Sequence, residues 1–159
     1  MAYFDKNYPL RVGRRYKKAD TIRSKYRICR GGGHLKTVVL IMQRASLAQG
    51  LITKVRHDPG IQLRYEPDYT RADVAIRDHL AEGALLEVSE DGAHDIGYCL
   101  MLCAWLRQVL PHCRLMLMCS ESRMEDVHRA IEAKQRGEID DFVFYDASLD
   151  YLVACLQSL

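Results

Sequence analysis

The chain has 159 residues and a formal net charge of +2, and its 18.3 kDa fit one domain of ordinary size with room for an appendage. With 48% of its residues apolar it can bury a core, but no apolar run approaches the ~20 residues that cross a bilayer as a helix. The polar, basic beginning is unlike a secretory signal and points to the cytoplasm.

The small net charge conceals a split. Residues 1–36 carry eleven Lys or Arg against Asp5 and Asp20, a balance of +9, whereas residues 37–159 carry twelve against nineteen acids, a balance of −7. The chain therefore reads as a basic arm (1–34) joined to an acidic body (35–159). The arm holds the runs Arg14-Arg15-Tyr16-Lys17-Lys18 and Arg23-Ser24-Lys25-Tyr26-Arg27, a short weak helix over Ala19–Ile28, and Gly31-Gly32-Gly33, which is expected to act as a flexible hinge.

Beyond the hinge the pattern becomes regular. Thr37–Met42 is a wholly apolar, β-branched run, as expected of a strand buried on both faces. Ser46–His57 is amphipathic, with Leu47, Leu51 and Val55 on one side, and Asp58-Pro59-Gly60 ends it. Ile61–Tyr65 alternates as a strand nearer a sheet edge. Thr70–Leu80 is a helix with Ala72, Ala75, Ile76 and Leu80 inward. Ala84–Val88 is a second buried strand, and Asp95–Leu110 a long, largely apolar helix closed by Pro111. Leu115–Cys119 is the next buried strand, Met124–Lys134 a helix broken by Gly137, and Asp141–Phe144 the last strand. Ser148 caps a final helix to Gln157, with Leu149, Leu152, Val153 and Leu156 inward.

Strand and helix alternate five times. Short apolar strands joined by crossover helices imply a three-layer α/β fold: a doubly wound, flavodoxin-like parallel five-stranded sheet of order 2-1-3-4-5 with a basic N-terminal extension. Ligands of such sheets bind beyond the carboxyl ends of the strands. The residues there are Met42 and Gln43, Glu87 with Val88, Cys119 and Ser120, and Tyr145 and Asp146.

Over some 125 residues this order and spacing resemble the receiver domains of bacterial two-component response regulators. Ala84–Gly97 (ALLEVSEDGAHDIG) looks like that family's third strand and following loop, Asp140–Phe144 (DDFVF) like the entry to its fifth strand, and Ser148 onward like its last helix. The resemblance implies a phosphorylation site built from two acids holding Mg²⁺ after the first strand and an acceptor Asp after the third. A Thr or Ser follows the fourth strand, and a Lys-Pro pair the fifth; phosphoryl transfer relies on such charge neutralisation. In this sequence the acid pair falls on Met42 and Gln43, which offer no carboxylate to a hard cation. The acceptor falls on Glu87, the hydroxyl on Cys119 or, one residue on, Ser120, and the Lys-Pro pair on Tyr145-Asp146, which has no cation. The implied module is thus a pseudo-receiver without Mg²⁺ or phosphorylation, in which Glu87 is either a solvated strand-end acid or a charge that mimics activation. Tyr145 reads as a packing aromatic or as a signalling one.

Other chemistries find little support. Gly31–Gly33 precedes the first strand, whereas a phosphate-cradling loop follows one. His94-Asp95-Ile96-Gly97 matches only part of a cobalamin-binding signature and lies after the wrong strand, the histidines are scattered, and no nucleophile elbow surrounds a serine. The six cysteines (Cys29, Cys99, Cys103, Cys113, Cys119 and Cys155) contain no CxxC and read as small hydrophobes in a reducing compartment, so neither metal nor other cofactor is expected. Met101, Met116 and Met118 read as core.

The expectation is a non-catalytic signalling module that acts through protein contacts. One expected contact is with a second copy, through the face over residues 123–159, where Asp126, Glu132, Asp140, Asp141 and Asp150 mix with Arg123, Arg129 and Lys134. The alternative is a nucleic-acid-associated protein. Arg11, Arg14, Arg15, Lys17, Lys18, Arg23, Lys25, Arg27 and Arg30, interleaved with tyrosines, would then meet phosphates and bases. The arm's other readings are a strap docked on this or another protein, and a tail with no specific role.

Overall fold

In the computed structural model, residues 34–159 are described. The nine arm cations from Arg11 to Arg30, the expected helix over 19–28 and the glycine hinge lie outside the described residues.

The strands are β1 (Lys36–Ile41), β2 (Ile61–Glu66), β3 (Gly83–Glu87), β4 (Arg114–Cys119) and β5 (Asp141–Phe144). The helices are α1 (Ala45–Lys54), α2 (Ala72–Asp78), α3 (Ile96–Val109), α4 (Met124–Gln135) and α5 (Leu149–Ser158). The five strands form one sheet of order β2-β1-β3-β4-β5, and all four pairings are parallel. Parallel neighbours need a crossover, and α1 to α4 lie in the four connections between successive strands.

The pleat sorts the strand residues between two cores. Val39, Ile41, Ala84, Leu86, Leu115, Leu117 and Cys119 pack against α2, α3 and α4. Val38, Leu40, Met42, Leu85, Met116, Met118 and Val143 pack against α1 and α5. Each fully buried Leu, Ile or Val is worth about 1.5–3 kcal/mol relative to exposure, so β1 and β3, buried on both faces, anchor the domain. Asp95 and Ser148 cap α3 and α5, each accepting from the backbone N–H three residues on. Among the described residues no helix is long and apolar enough to cross a membrane.

Four assignments made from the sequence shift. Leu80 is not inward: α2 ends at Asp78, and Leu80 has φ 51° and is 51% exposed. The turn has the two bonds of a Schellman end, Leu80 N–H to Arg77 and Ala81 N–H to Ile76. The same motif closes α4 with Gly137 at φ 72°, the residue type this conformation favours. Periodicity carries a helix through such a position when a leucine stands in the glycine's place. Leu149 is 37% exposed and Met101, midway along α3, is 49% exposed, so neither is core. The charges over residues 123–159 are largely spent within the chain. Asp126 is buried against Arg123, Lys134 pairs with Asp141, Asp150 with Lys54, and Asp140 is held by Arg107 and Arg114.

Candidate functional site

The carboxyl ends of β1, β3, β4 and β5 meet at one edge of the sheet. Met42 follows β1 directly and is fully buried in the core beneath α1 and α5. Its thioether is packing, not a ligand. Gln43 and Arg44 turn the chain toward α1, and their backbone N–H groups point across the sheet end at Glu87, the last residue of β3.

Glu87 is the centre of the arrangement and is only 3% exposed, so it is no solvated strand-end acid. Its Oε2 accepts from Gln43 N at 2.7 Å and Arg44 N at 3.2 Å. Its Oε1 meets Arg44 Nε at 2.8 Å. A buried carboxylate is costly unless it is paired and hydrogen-bonded, and here each oxygen is engaged by a donor from the β1–α1 loop. The Glu87 carbonyl accepts the Tyr69 hydroxyl at 2.6 Å, which ties the same residue to the short 3-10 turn Tyr69–Arg71 before α2.

Arg44 has a second contact. Its guanidinium lies 4.0 Å from the centre of the Tyr145 ring, a cation–π geometry that joins the loop after β1 to the one after β5. The position where the resemblance implies a cation thus carries an aromatic, and the cation reaches the acid from the opposite loop. Burial, followed by the nearby Glu87 charge, pushes the Tyr145 phenol well above its ordinary range, and Arg44 opposes this. The Tyr145 hydroxyl is buried and has no hydrogen-bond partner among the described residues.

The pleat settles which residue after β4 faces the site. Met118 and Val143 lie on the α1/α5 side, so the alternation carries Ser120 and Tyr145 to that side with Glu87. Cys119 belongs to the opposite core, with its Sγ 3.8 Å from the Val143 carbonyl and its thiol pushed up to about 11 by burial. Ser120 bonds Ser122 side chain to side chain at 2.8 Å. With Arg44, Glu90, Glu121, Ser122, Tyr145 and the exposed Asp146 it lines an open cleft of about 490 Å³.

On the other flank, Gln43 Nε2 donates to His94 Nδ1 at 3.1 Å. The His94 ring stacks on Tyr69 at 4.0 Å and 6°, with Tyr98 edge-on to both. These aromatics roof the site above α3. Burial holds the Tyr69 phenol far above its ordinary range. Among the described residues no group of three or more His, Cys, Asp or Glu side chains is arranged to hold a metal ion.

The structure therefore gathers Gln43, Glu87, Ser120, Tyr145 and Asp146 at one sheet edge and sends Met42 and Cys119 into the two cores. Neither Arg44 nor Tyr69 stood out in the sequence, and His94 did so only as part of an incomplete cobalamin-type signature. For Arg44 a signal was present: an arginine stands directly after the position where an acid pair would hold a cation.

No protein-family model matches the chain, and no curated protein matches it in sequence. Solved structures do match. A DNA-binding response regulator of the LuxR family from Staphylococcus aureus superposes with TM-score 0.61 at 13% identity, over 77% of this chain and 97% of its own. The beryllofluoride-activated N-terminal receiver domain of RstA from Klebsiella pneumoniae gives 0.60 at 20% identity, over 77% and 97%. An adenylate cyclase from Rhodopirellula baltica gives 0.64 at 14% identity, over 77% and 85%. At these identities the likeness is one of fold: the described residues form a receiver-like domain of the flavodoxin-like class.

Proposed function

We propose that the chain is a signalling module that works without phosphoryl transfer and without metal, and acts through protein contacts. The observation that carries this reading is the state of Glu87. Both carboxylate oxygens are engaged, by Arg44 Nε and by the Gln43 and Arg44 amides. A phosphoryl acceptor must present a free oxygen beside a cation, and an acid locked into charge-assisted bonds does not. Met42, buried in the core, and Gln43, turned to His94, supply no carboxylate for Mg²⁺. The Arg44–Glu87 pair bridging the loops after β1 and β3, with Tyr145 stacked on it, fits a fixed rather than a switched state. A cytoplasmic setting belongs to the same proposal, on the free thiols of Cys99, Cys103, Cys113, Cys119 and Cys155. So does pairing with a second copy through the α4–β5–α5 face, where Tyr151 and Ile131 are exposed.

Treatment of the full chain with acetyl phosphate and Mg²⁺ is expected to leave its intact mass unchanged. A Mg²⁺-dependent gain of one phosphoryl group that disappears in Glu87→Ala would overturn the proposal. A second reading rests on the charge split between residues 1–36 (+9) and 37–159 (−7): the arm holds nucleic acid by phosphate neutralisation. Its measure is the salt slope of DNA or RNA binding, about −0.7 to −0.9 per neutralised phosphate. A flat slope removes this reading.

A further inference from the structure

Two contacts of the His94 ring lead to Glu87, each through a single residue. Gln43 gives its side-chain Nε2 to His94 Nδ1 at 3.1 Å and its backbone N–H to Glu87 Oε2 at 2.7 Å. Tyr69 gives its ring face to the imidazole, 4.0 Å away and 6° from parallel, and its hydroxyl to the Glu87 carbonyl at 2.6 Å. The main chain of His94 is held as well: its carbonyl accepts from Ser89 N at 2.8 Å and lies 3.5 Å from Cys99 Sγ. The loop between β3 and α3 thus places the ring, and one ring nitrogen meets the loop after β1.

An imidazole that accepts at Nδ1 carries its proton on Nε2, whereas the imidazolium donates from both nitrogens. Protonation therefore sets two donors face to face, Gln43 Nε2 and His94 Nδ1. Gln43 is exposed, so its carboxamide has room to turn and offer Oε1 instead. The reversed bond is charge-assisted, which makes it shorter and about twice as strong as the neutral one. The nearby acids are otherwise engaged or open to water. Asp68 faces the ring electrostatically, with Arg71 beside it, but caps the turn before α2 by accepting from Thr70 N and Oγ1. Asp95 caps α3 through Tyr98 N, and Glu90 and Asp91 are exposed in the same loop. Tyr98 meets the ring edge-on, and Arg44 is committed to Glu87 and Tyr145. The new N–H is therefore answered at Gln43.

We infer that His94 is a proton-operated latch on the Glu87 clamp: a proton taken up at Nδ1 reverses the Gln43 bond and draws the loop after β1 toward the loop after β3. Histidine is the side chain whose ordinary titration falls at roughly pH 5 to 8, so the latch works in the physiological range. This rests on the same clamp as the proposed function and gives that clamp an input other than a phosphoryl group.

The test is an NMR titration of the full ¹⁵N-labelled chain from about pH 8 to about pH 5, with neither metal nor phosphoryl reagent present. Long-range ¹H–¹⁵N spectra follow the His94 ring nitrogens, and amide spectra follow the Gln43 side chain and the Gln43 and Arg44 backbone. The neutral ring is expected to carry its proton on Nε2, and all of these signals are expected to move with one midpoint. His94→Phe keeps a ring to stack on Tyr69 but takes up no proton, so the Gln43 and Arg44 amides are expected to stay still over the same range. Unchanged amides of Leu85 and Leu117 in the core show that this variant is folded. Should it not fold, Gln43→Leu supplies the same check, because the Arg44 amide is then expected to stop following His94. Three results overturn the inference: a neutral ring protonated on Nδ1, Gln43 and Arg44 amides that ignore the titration of His94, or amides that still move in His94→Phe. The proposed function falls on a different result, gain of a phosphoryl group at Glu87, which this titration does not involve.

Discussion

Each end of the sheet carries an acid clamped by arginine and backbone amide, and the two clamps differ in their surroundings. At the amino end, Asp140 sits between Arg107 Nη2 at 2.5 Å and Arg114 Nε at 2.8 Å, and also accepts from Leu115 N at 2.7 Å. Arg107 further donates to the Glu138 and Cys113 carbonyls, so the clamp stitches α3 to both loops that lead into β4 and β5. At the carboxyl end, Glu87 has one guanidinium and two amides, beside an open cleft lined by Glu90, Glu121 and Asp146, which have no ion pair among the described residues. The Asp140 clamp closes on itself and serves stability. The Glu87 clamp reproduces its chemistry where three loops meet a surface, and the proposed function rests on that clamp.

The largest effect is expected at Asp140. Asp140→Ala leaves two guanidiniums without their acid and an amide without its acceptor, and removing one partner of such a cluster costs about 3–5 kcal/mol where buried. Partial exposure of both arginines brings the expected loss toward about 3 kcal/mol, read by urea denaturation. Glu87→Ala strands two amides, an expected loss of about 1–3 kcal/mol. Arg44 is half exposed and regains water, so Arg44→Ala is expected to weaken the fold through Glu87 rather than through itself. The double variant is therefore expected to lose less than the sum of the two singles. If the two losses add fully, the pair is not coupled.

Alkaline pH probes the cores rather than the clamps. Burial pushes the thiols of Cys103 and Cys113 up to about 12 and that of Cys119 to about 11, from 9.0. A folded-state value above the unfolded one means stability that is complete below pH 9 and lost as pH rises toward 11–12. Denaturation midpoints are expected to fall across that window, and thiol reagents to react slowly with these residues at neutral pH. A flat profile from pH 9 to 11 contradicts the buried thiols. The smallest effect is expected at the end of α2. Leu80→Gly relieves a left-handed leucine at an exposed position and should stabilise by about 0.5–1 kcal/mol, whereas Gly137→Ala at the matching end of α4 should destabilise by a similar amount.

The order of strands and helices was legible because each strand is a short apolar run and each helix supplies a 3.6-residue stripe. What escaped was contact between loops. The Arg44 amide and Glu87 are 43 residues apart, and no periodicity connects a loop arginine to a strand-end acid. The position after β4 stayed open between Cys119 and Ser120 until the pleat was known, because a one-residue slip reverses the face. Asp140, read as one of the mixed charges of the 123–159 face, proved to be the hub of the amino-end clamp. Composition gives the number of charges but not which of them find partners.

On the proposed function, Glu87 is held by the chain itself and is not available to a phosphoryl group. This is tested most directly by following the Gln43 and Arg44 amide resonances of ¹⁵N-labelled full chain during addition of beryllofluoride with Mg²⁺. These two amides donate to Glu87 Oε2 and report any change at the carboxylate. Both cross-peaks are expected to stay in place. Saturable shifts that require Mg²⁺ and disappear in Glu87→Ala would contradict it.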